Sequence, residues 1–224
     1  MQTQPHSPDE FHKFHTLEEE KQERVINAAM KEFLVGYKKA STDNIVREAG
    51  ISKGLLFHYF GTKEGLYNYL IDHGVDIIME QFLGLINVNQ ADVLESLWQL
   101  ALLKQDLSMQ FPSIFDFLTS TYMHTGSTIN AAHGKLDEMV KMRARIMEDI
   151  YNNGNHDLFR EDIDPKKAID IITWAVNGYT QSLTAIAPAE SLGESARENY
   201  DKYLNDLKEM LDLFRKCFYK EELL

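Results

Sequence analysis

Apolar residues recur at spacings of three and four along almost the whole chain, and nowhere alternate over the length of a strand. The first helical pattern starts near Thr16 and carries Val25, Ile26, Ala29, Met30 and Phe33 on one face. Thr16 and Glu19 have the spacing of a capping box at its start, and Gly36 is placed to stop it. Two short patterns follow, one ending at Gly50 and one over Lys53 to Phe60. Further helices are predicted from Thr62 to about Leu83, Ala91 to Leu103, Pro112 to about Tyr122, Leu136 to Tyr151, Pro165 to about Ile186 after an Asp164 cap, and about Ser195 to Tyr219. The fold class is therefore all-α.

The stretch Ser41 to Gly65, STDNIVREAGISKGLLFHYFGTKEG, is the most informative. Gly50 can take the left-handed conformation that ends a helix, and Ser52 can accept a backbone N–H to open the next. Thr62 is a second such cap behind the break at Gly61. Ile45, Val46 and Ala49, then Ile51, Leu56 and Phe60, supply one continuous core, so two short helices meet across a tight turn: a helix-turn-helix. With those residues assigned inward, Lys53, Gly54, Phe57, His58 and Tyr59 crowd the outer side of the second helix, with Lys63 beyond and Thr42 and Arg47 on its partner. A flat anionic surface suits that mixture of basic and aromatic groups.

These residues closely resemble the DNA-binding domain of the TetR family of bacterial transcriptional regulators. The matching positions are Ala28, Ala29 and Phe33, then Thr42, Ile45, Ala49, Gly50, Ser52, Gly54, Leu56, Phe60, Lys63 and Leu66, over roughly Leu17 to Leu70. The resemblance implies an N-terminal three-helix DNA-binding domain followed by a larger helical domain for ligand binding and dimerisation. Carried over, Lys53 and Gly54 stand at the start of the recognition helix, where the backbone can approach a base edge and lysine can reach guanine or phosphate. Phe57, His58 and Tyr59 face the groove and its flanking phosphates, Thr42 binds a phosphate, and Lys63 with the N–H groups of its helix grips another. Phe57 stands where the family often has tyrosine, and the usual histidine comes one place early, as His58.

The net charge of −12 bears on that reading only through its distribution. Leu17 to Asn68 holds eight basic and eight acidic residues, whereas Tyr69 to Leu224 holds 14 and 25. Between Gly36 and Gly65 five basic residues oppose three acids, so the contact face is locally positive and the rest discourages indiscriminate coating of DNA. At 44% hydrophobic the chain can fill a substantial core, with a flexible arm expected over residues 1–15, the DNA-binding domain over 16–61 and the effector-binding and dimerisation domain over 62–224. No apolar run reaches transmembrane length and the start lacks an apolar signal core, so a cytoplasmic protein with no membrane partner is expected. The single cysteine, Cys217, cannot form an intrachain disulfide and reads as a small buried or interface residue.

The last two predicted helices carry apolar stripes wider than one core face requires. Ile172, Ala175, Tyr179 and Leu183, with Tyr203, Leu207, Met210 and Phe214, are the expected homodimer interface, which the resemblance describes as a four-helix bundle of two helices and their twins. A dimer would hold two recognition helices about 34 Å apart over successive turns of a palindromic double-stranded operator. For a small apolar or aromatic effector, the large adaptable residues of the middle helices offer either a pocket or ordinary core. The resemblance favours a pocket from among Trp98, Phe111, Phe115, Tyr122, Met123, Met147 and Trp174, with Tyr122, His124, Asn177 or Gln181 as polar anchors. The resemblance further implies repression relieved by effector. A DNA-binding role in chromosome organisation or cell division, without transcriptional control, is the alternative. An enzyme is the remote one: the eight histidines are scattered, with no nucleophile elbow, zinc motif or phosphate loop, and no catalytic residue, cofactor or metal is assigned.

Overall fold

A computed structural model describes residues 11–85, 92–125, 134–186 and 194–223. Its helices are α1 (His12–His15), α2 (Glu19–Phe33), α3 (Thr42–Ala49), α4 (Lys53–Phe60), α5 (Lys63–Leu85), α6 (Val93–Gln110), α7 (Pro112–Thr125), α8 (Gly134–Asn152), α9 (Pro165–Ile186) and α10 (Glu194–Phe218). Short 3₁₀ turns cover His156–Leu158 and Glu221–Leu223, and the described residues form no strand beyond one isolated bridge. The protein is all-α. It divides into two compact units, Met1–Glu80 with Phe111–Val140 and Gln81–Gln110 with Lys141–Leu224.

In the first unit, Val25, Ala29, Met30 and Phe33 of α2 pack with Ile45 and Ala49 of α3, Leu56 and Phe60 of α4, and Leu66 and Leu70 of α5. Val46 and Ile51 lie half-buried against the same core. Burying each such side chain is worth roughly 1.5–3 kcal/mol, which fixes helices too short to persist alone. The turn is built as its residues require: Gly50 is left-handed with φ of 68°, and Ser52 Oγ accepts the Leu55 N–H at 3.1 Å. Thr62 Oγ1 accepts the Gly65 N–H at 2.9 Å and opens α5.

Two expectations change here. The Thr16–Glu19 capping box does not form: α2 starts after Glu18 without a side-chain cap, and the Thr16 hydroxyl instead donates to the Lys13 carbonyl at 2.8 Å. That bond closes α1, which lies inside the segment expected to be a flexible arm. Phe14 of α1 is fully buried, its ring 4.7 Å from Phe60 and 5.4 Å from Tyr69, so residues 11–15 are held by aromatic packing. Residues 1–10 lie outside the described residues.

The first unit also extends beyond residue 61. Phe117 of α7 is buried in its core, the Ser120 hydroxyl donates to the Leu34 carbonyl at 3.1 Å, and the Tyr67 hydroxyl donates to Thr121 Oγ1 at 3.1 Å. These buried hydroxyls find partners at the end of α2 and along α5, as burial demands.

The second unit joins α6, α8, α9 and α10 around Leu94, Leu97, Ile146, Ile150, Ile172, Leu204, Leu207 and Leu211. It is closed by a clasp that the helical pattern did not foreshadow. Helix α10 stops at Phe218, and Tyr219 turns inward, fully buried, bridging to Phe159. Its hydroxyl donates to Asp92 Oδ1 at 2.8 Å, while Asp92 also accepts the Leu94 N–H at 2.9 Å and pairs with Arg215 at 2.8 Å. One carboxylate thereby caps α6 and anchors the end of α10. Cys217 is exposed, so the buried reading of it does not hold.

Candidate nucleic-acid interface

The outer side of α4 is short and open because the inner side is fully used: Leu56 and Phe60 point into the core, and the Gly61 break ends the helix. Lys53, Gly54 and His58 are exposed, and Phe57 is half-buried. Lys53 pairs with Asp43 of α3 at 2.8 Å, but both side chains are largely in solvent. Such a pair contributes only about 0.2–1 kcal/mol, so a phosphate or guanine can displace the aspartate. Arg47 is exposed and donates to Asn44 Oδ1 at 2.8 Å, and Thr42 is half-buried in the first turn of α3.

Gly54 carries the sharpest information. A Cβ built there meets nothing closer than the Ser52 hydroxyl at 4.0 Å, and the backbone is not left-handed. The fold does not need this glycine, which costs a helix about 1 kcal/mol relative to alanine. At Gly65, by contrast, a Cβ would lie 2.2 Å from the Phe60 carbonyl oxygen, a contact only glycine avoids. One glycine serves packing; the other leaves bare backbone on a surface.

Two residues of the expected face have work inside the protein. Tyr59 is half-buried, its ring 5.7 Å from Phe14, so only part of it can meet DNA. Lys63 donates to the Ala40 carbonyl at 2.6 Å and lies 4.8 Å from the centre of the Tyr37 ring, tying the loop after α2 to the start of α5. Leu55, exposed on the first turn of α4, was not anticipated; it lies off the Leu56–Phe60 stripe, which is the signal that could have found it.

The profile of bacterial regulatory proteins of the tetR family matches residues 25–70, most of α2 through the first turns of α5. Over these residues the chain carries the DNA-binding region of the TetR family. A TetR-family transcriptional regulator from Chloroflexus aurantiacus J-10-FL is similar at 19% identity over 94% of this chain and 98% of that one, with a TM-score of 0.63. The ketosteroid transcriptional regulator KstR2 of Mycobacterium tuberculosis is similar at 18% identity over 92% and 98%, with a TM-score of 0.59. AibR, solved in complex with isovaleryl coenzyme A and operator DNA, is similar at 17% over 83% and 96%, with a TM-score of 0.57. At these identities the likeness is one of fold. No curated protein matches the chain in sequence. With that match over this helix-turn-helix, the protein is a DNA-binding regulator.

The expected effector residues are not brought together. Phe111, Phe115 and Tyr122 fall in the first unit, where Phe111 packs on the core and Tyr122 is 44% exposed. Trp98, Met147, Trp174 and Asn177 fall in the second, where Met147 and Trp98 pack against the core, Trp174 is 70% exposed and Asn177 is exposed. The side chains of Met123, His124, Gln181 and Leu183 lie outside the described residues. Two open clefts are present: one of about 370 Å³ edged by Arg24, Lys31, Glu48 and Asp116, and one of about 470 Å³ edged by Asp92, Trp98, Lys208 and Arg215. Only Trp98 belongs to the expected set, and it is covered by the Lys208 ammonium at 5.3 Å from its ring centre.

The expected dimer residues also separate. Ile172 and Leu207 are buried in the second unit's own core, because the inward face of each helix claims them. Ala175, Tyr179, Tyr203, Met210 and Phe214 are half-buried, with the Tyr179 hydroxyl donating to Asp206. The outward apolar residues are Ile171 (44% exposed) and Trp174 on α9 and Leu213 (57% exposed) on α10. Among the described residues no helix is long and apolar enough to cross a membrane, and no group of histidine, cysteine and carboxylates could hold a metal ion.

Proposed function

We propose that this regulator is a cytoplasmic repressor that binds a palindromic operator as a homodimer and is released by a small organic effector with an apolar or aromatic body. The observation that carries the reading is the exposed N-terminal face of α4, where Gly54 is not required by the fold and Lys53 is held only by a solvent-exposed aspartate. Residues 16–61 read DNA in this proposal, and 62–224 bind effector and pair with the second copy. Catalysis has no part in it.

Dimerisation is supported by the outward row of Ile171, Trp174 and Gly178 on α9 and by Leu213 on α10, an apolar surface a lone chain would leave in water. The half-buried Tyr203, Met210 and Phe214 supply its margin. An effector with an organic body agrees with two of the similar proteins, one named for ketosteroids and one solved with an acyl coenzyme A. Genome-wide mapping of bound sites tests the reading. A few palindromic sites at promoters are expected; many sites scattered along the chromosome would instead favour an organising role. Sedimentation at micromolar concentration is expected to give a dimer, and a monomer would remove the two-fold reading.

A further inference from the structure

Helix α4 has eight residues, and its buried stripe uses only Leu56 and Phe60. At about 100° per residue, Gly54, Leu55 and His58 fall together on the opposite side. All three are exposed. Single apolar side chains on a surface are ordinary, and Leu55 gains its meaning from its place. It stands in the first turn of α4, beside Gly54, where the fold has room for a Cβ that the chain does not carry. Its amide is already bonded to Ser52, at 3.1 Å from the hydroxyl oxygen and 3.1 Å from the carbonyl oxygen, so what the residue holds out is its aliphatic side chain. Phe57 and Tyr59, the aromatic residues beside the buried stripe, are half-buried, whereas Leu55 is 36% exposed.

A helix that enters the major groove presents its N-terminal residues to base edges. An aliphatic group forms no hydrogen bond there, and the apolar feature that distinguishes one base from the others is the C5-methyl of thymine. A leucine is also short, so it reaches that methyl only if the helix backbone comes close, which bare backbone at Gly54 permits. We infer that Leu55 reads the methyl group of one thymine in each half of the operator. This rests on the proposal that α4 enters the groove, and it adds to that proposal a base preference at one position. Lys53 can be satisfied by a phosphate of any sequence, whereas Leu55 is satisfied only by a base edge that carries a methyl.

The test uses the full-length protein and the duplex it enriches from a random pool, with each thymine in turn replaced by deoxyuridine, which keeps every hydrogen bond and removes only the methyl. One thymine per half-site is expected at which this change weakens binding about fourfold, the factor that burying one methyl-sized group carries, and about 15-fold when both halves are changed. In Leu55→Ala the same replacements are expected to have no effect, with affinity for the unmodified duplex lowered and helical content unchanged. A half-site without thymine, or a scan of the wild type in which no thymine responds, would overturn the inference, and neither result depends on a variant that folds. So would a response that persists at full size in Leu55→Ala, which would give the methyl to another side chain such as Phe57. Failure of the DNA-reading proposal looks different: no duplex is enriched, or the enriched one is bound equally well by Lys53→Ala and Gly54→Ala, and the Leu55 inference falls with it. A flat scan on a duplex that Lys53→Ala binds more weakly removes the Leu55 inference alone.

Discussion

The two units hold their helices by different means. In the first, α2, α3 and α4 are short, and each end is fixed locally by a left-handed Gly50, a Ser52 cap or a Thr62 cap over a small shared core. In the second, longer helices are fixed at a distance: Asp92 before α6 holds Tyr219 and Arg215 from the far end of the chain. The first unit leaves Lys53, Gly54 and His58 exposed on α4, the face proposed to read DNA. The second leaves Ile171, Trp174 and Leu213 exposed. Local fixing suits a rigid reading head, and long-range fixing suits the body that is proposed to meet another copy and a ligand.

The strongest way to break this contrast is Gly65→Ala. A methyl 2.2 Å from the Phe60 carbonyl forces the α4–α5 junction apart, and a loss of about 3 kcal/mol or more is expected. Both tryptophans, Trp98 and Trp174, lie in the second unit, so their fluorescence reports that unit while circular dichroism reports both. In denaturant, the dichroism transition is expected to move well below the fluorescence transition; equal shifts would mean that the units do not differ in this way.

Tyr219→Phe is the converse change. It removes the hydroxyl from the Asp92 clasp and is expected to cost about 2 kcal/mol, as for a buried hydrogen bond to a charged group. The fluorescence transition should move and operator affinity should not. Gly54→Ala is a third comparison, inside the first unit. Stability is expected to stay level or rise by up to about 1 kcal/mol, while affinity for the selected duplex falls about tenfold, or about 1.4 kcal/mol. A stable variant with undiminished affinity would remove bare backbone from the interface.

The smallest effect is in pH. Burial holds His73 of the first unit below its ordinary 6.5, so the unfolded chain binds its proton first and that unit loses stability as pH falls through 6.5. Lys104 of the second unit titrates near 7 when folded against 10.5 unfolded; the unfolded chain holds more protons between those values, so stability rises with pH across that window. Melting curves from pH 5 to 9.5 should show the two limbs. His73→Gln is expected to flatten the acid limb and Lys104→Met the alkaline one.

The first unit was largely legible in the sequence because its instructions are local. Gly50, Ser52 and Thr62 act on residues within four positions, and the assignment of Ile45, Ala49, Leu56 and Phe60 inward left the outer face by subtraction. Local reasoning also misled there. Thr16 and Glu19 have capping-box spacing, but Thr16 closes α1, a four-residue helix too short to show periodicity. Lys63 looked free because nothing in its neighbourhood reveals the Ala40 carbonyl waiting 23 positions earlier.

The second unit was legible only as helices. Ile171 and Ile172 are adjacent, and one helix step of about 100° decides which faces the chain's own core and which faces out. A wide stripe does not contain that decision; packing makes it. The Tyr219 clasp depends on Asp92, 127 positions away, which no periodicity encodes. Lys104 was readable as a charge on an apolar stripe, yet how far it is withdrawn from water depends on the helices packed against α6, which no local pattern encodes.

Selection of random duplexes by the full-length protein, followed by sequencing, puts the DNA-reading face to the most direct test. Enrichment of a palindrome with half-sites about one helical turn apart is expected, with Lys53→Ala and Gly54→Ala each weakening binding to it without altering the helical content of the protein. No enriched sequence, or one bound equally well by both variants, would contradict the assignment of α4 as the element that reads DNA.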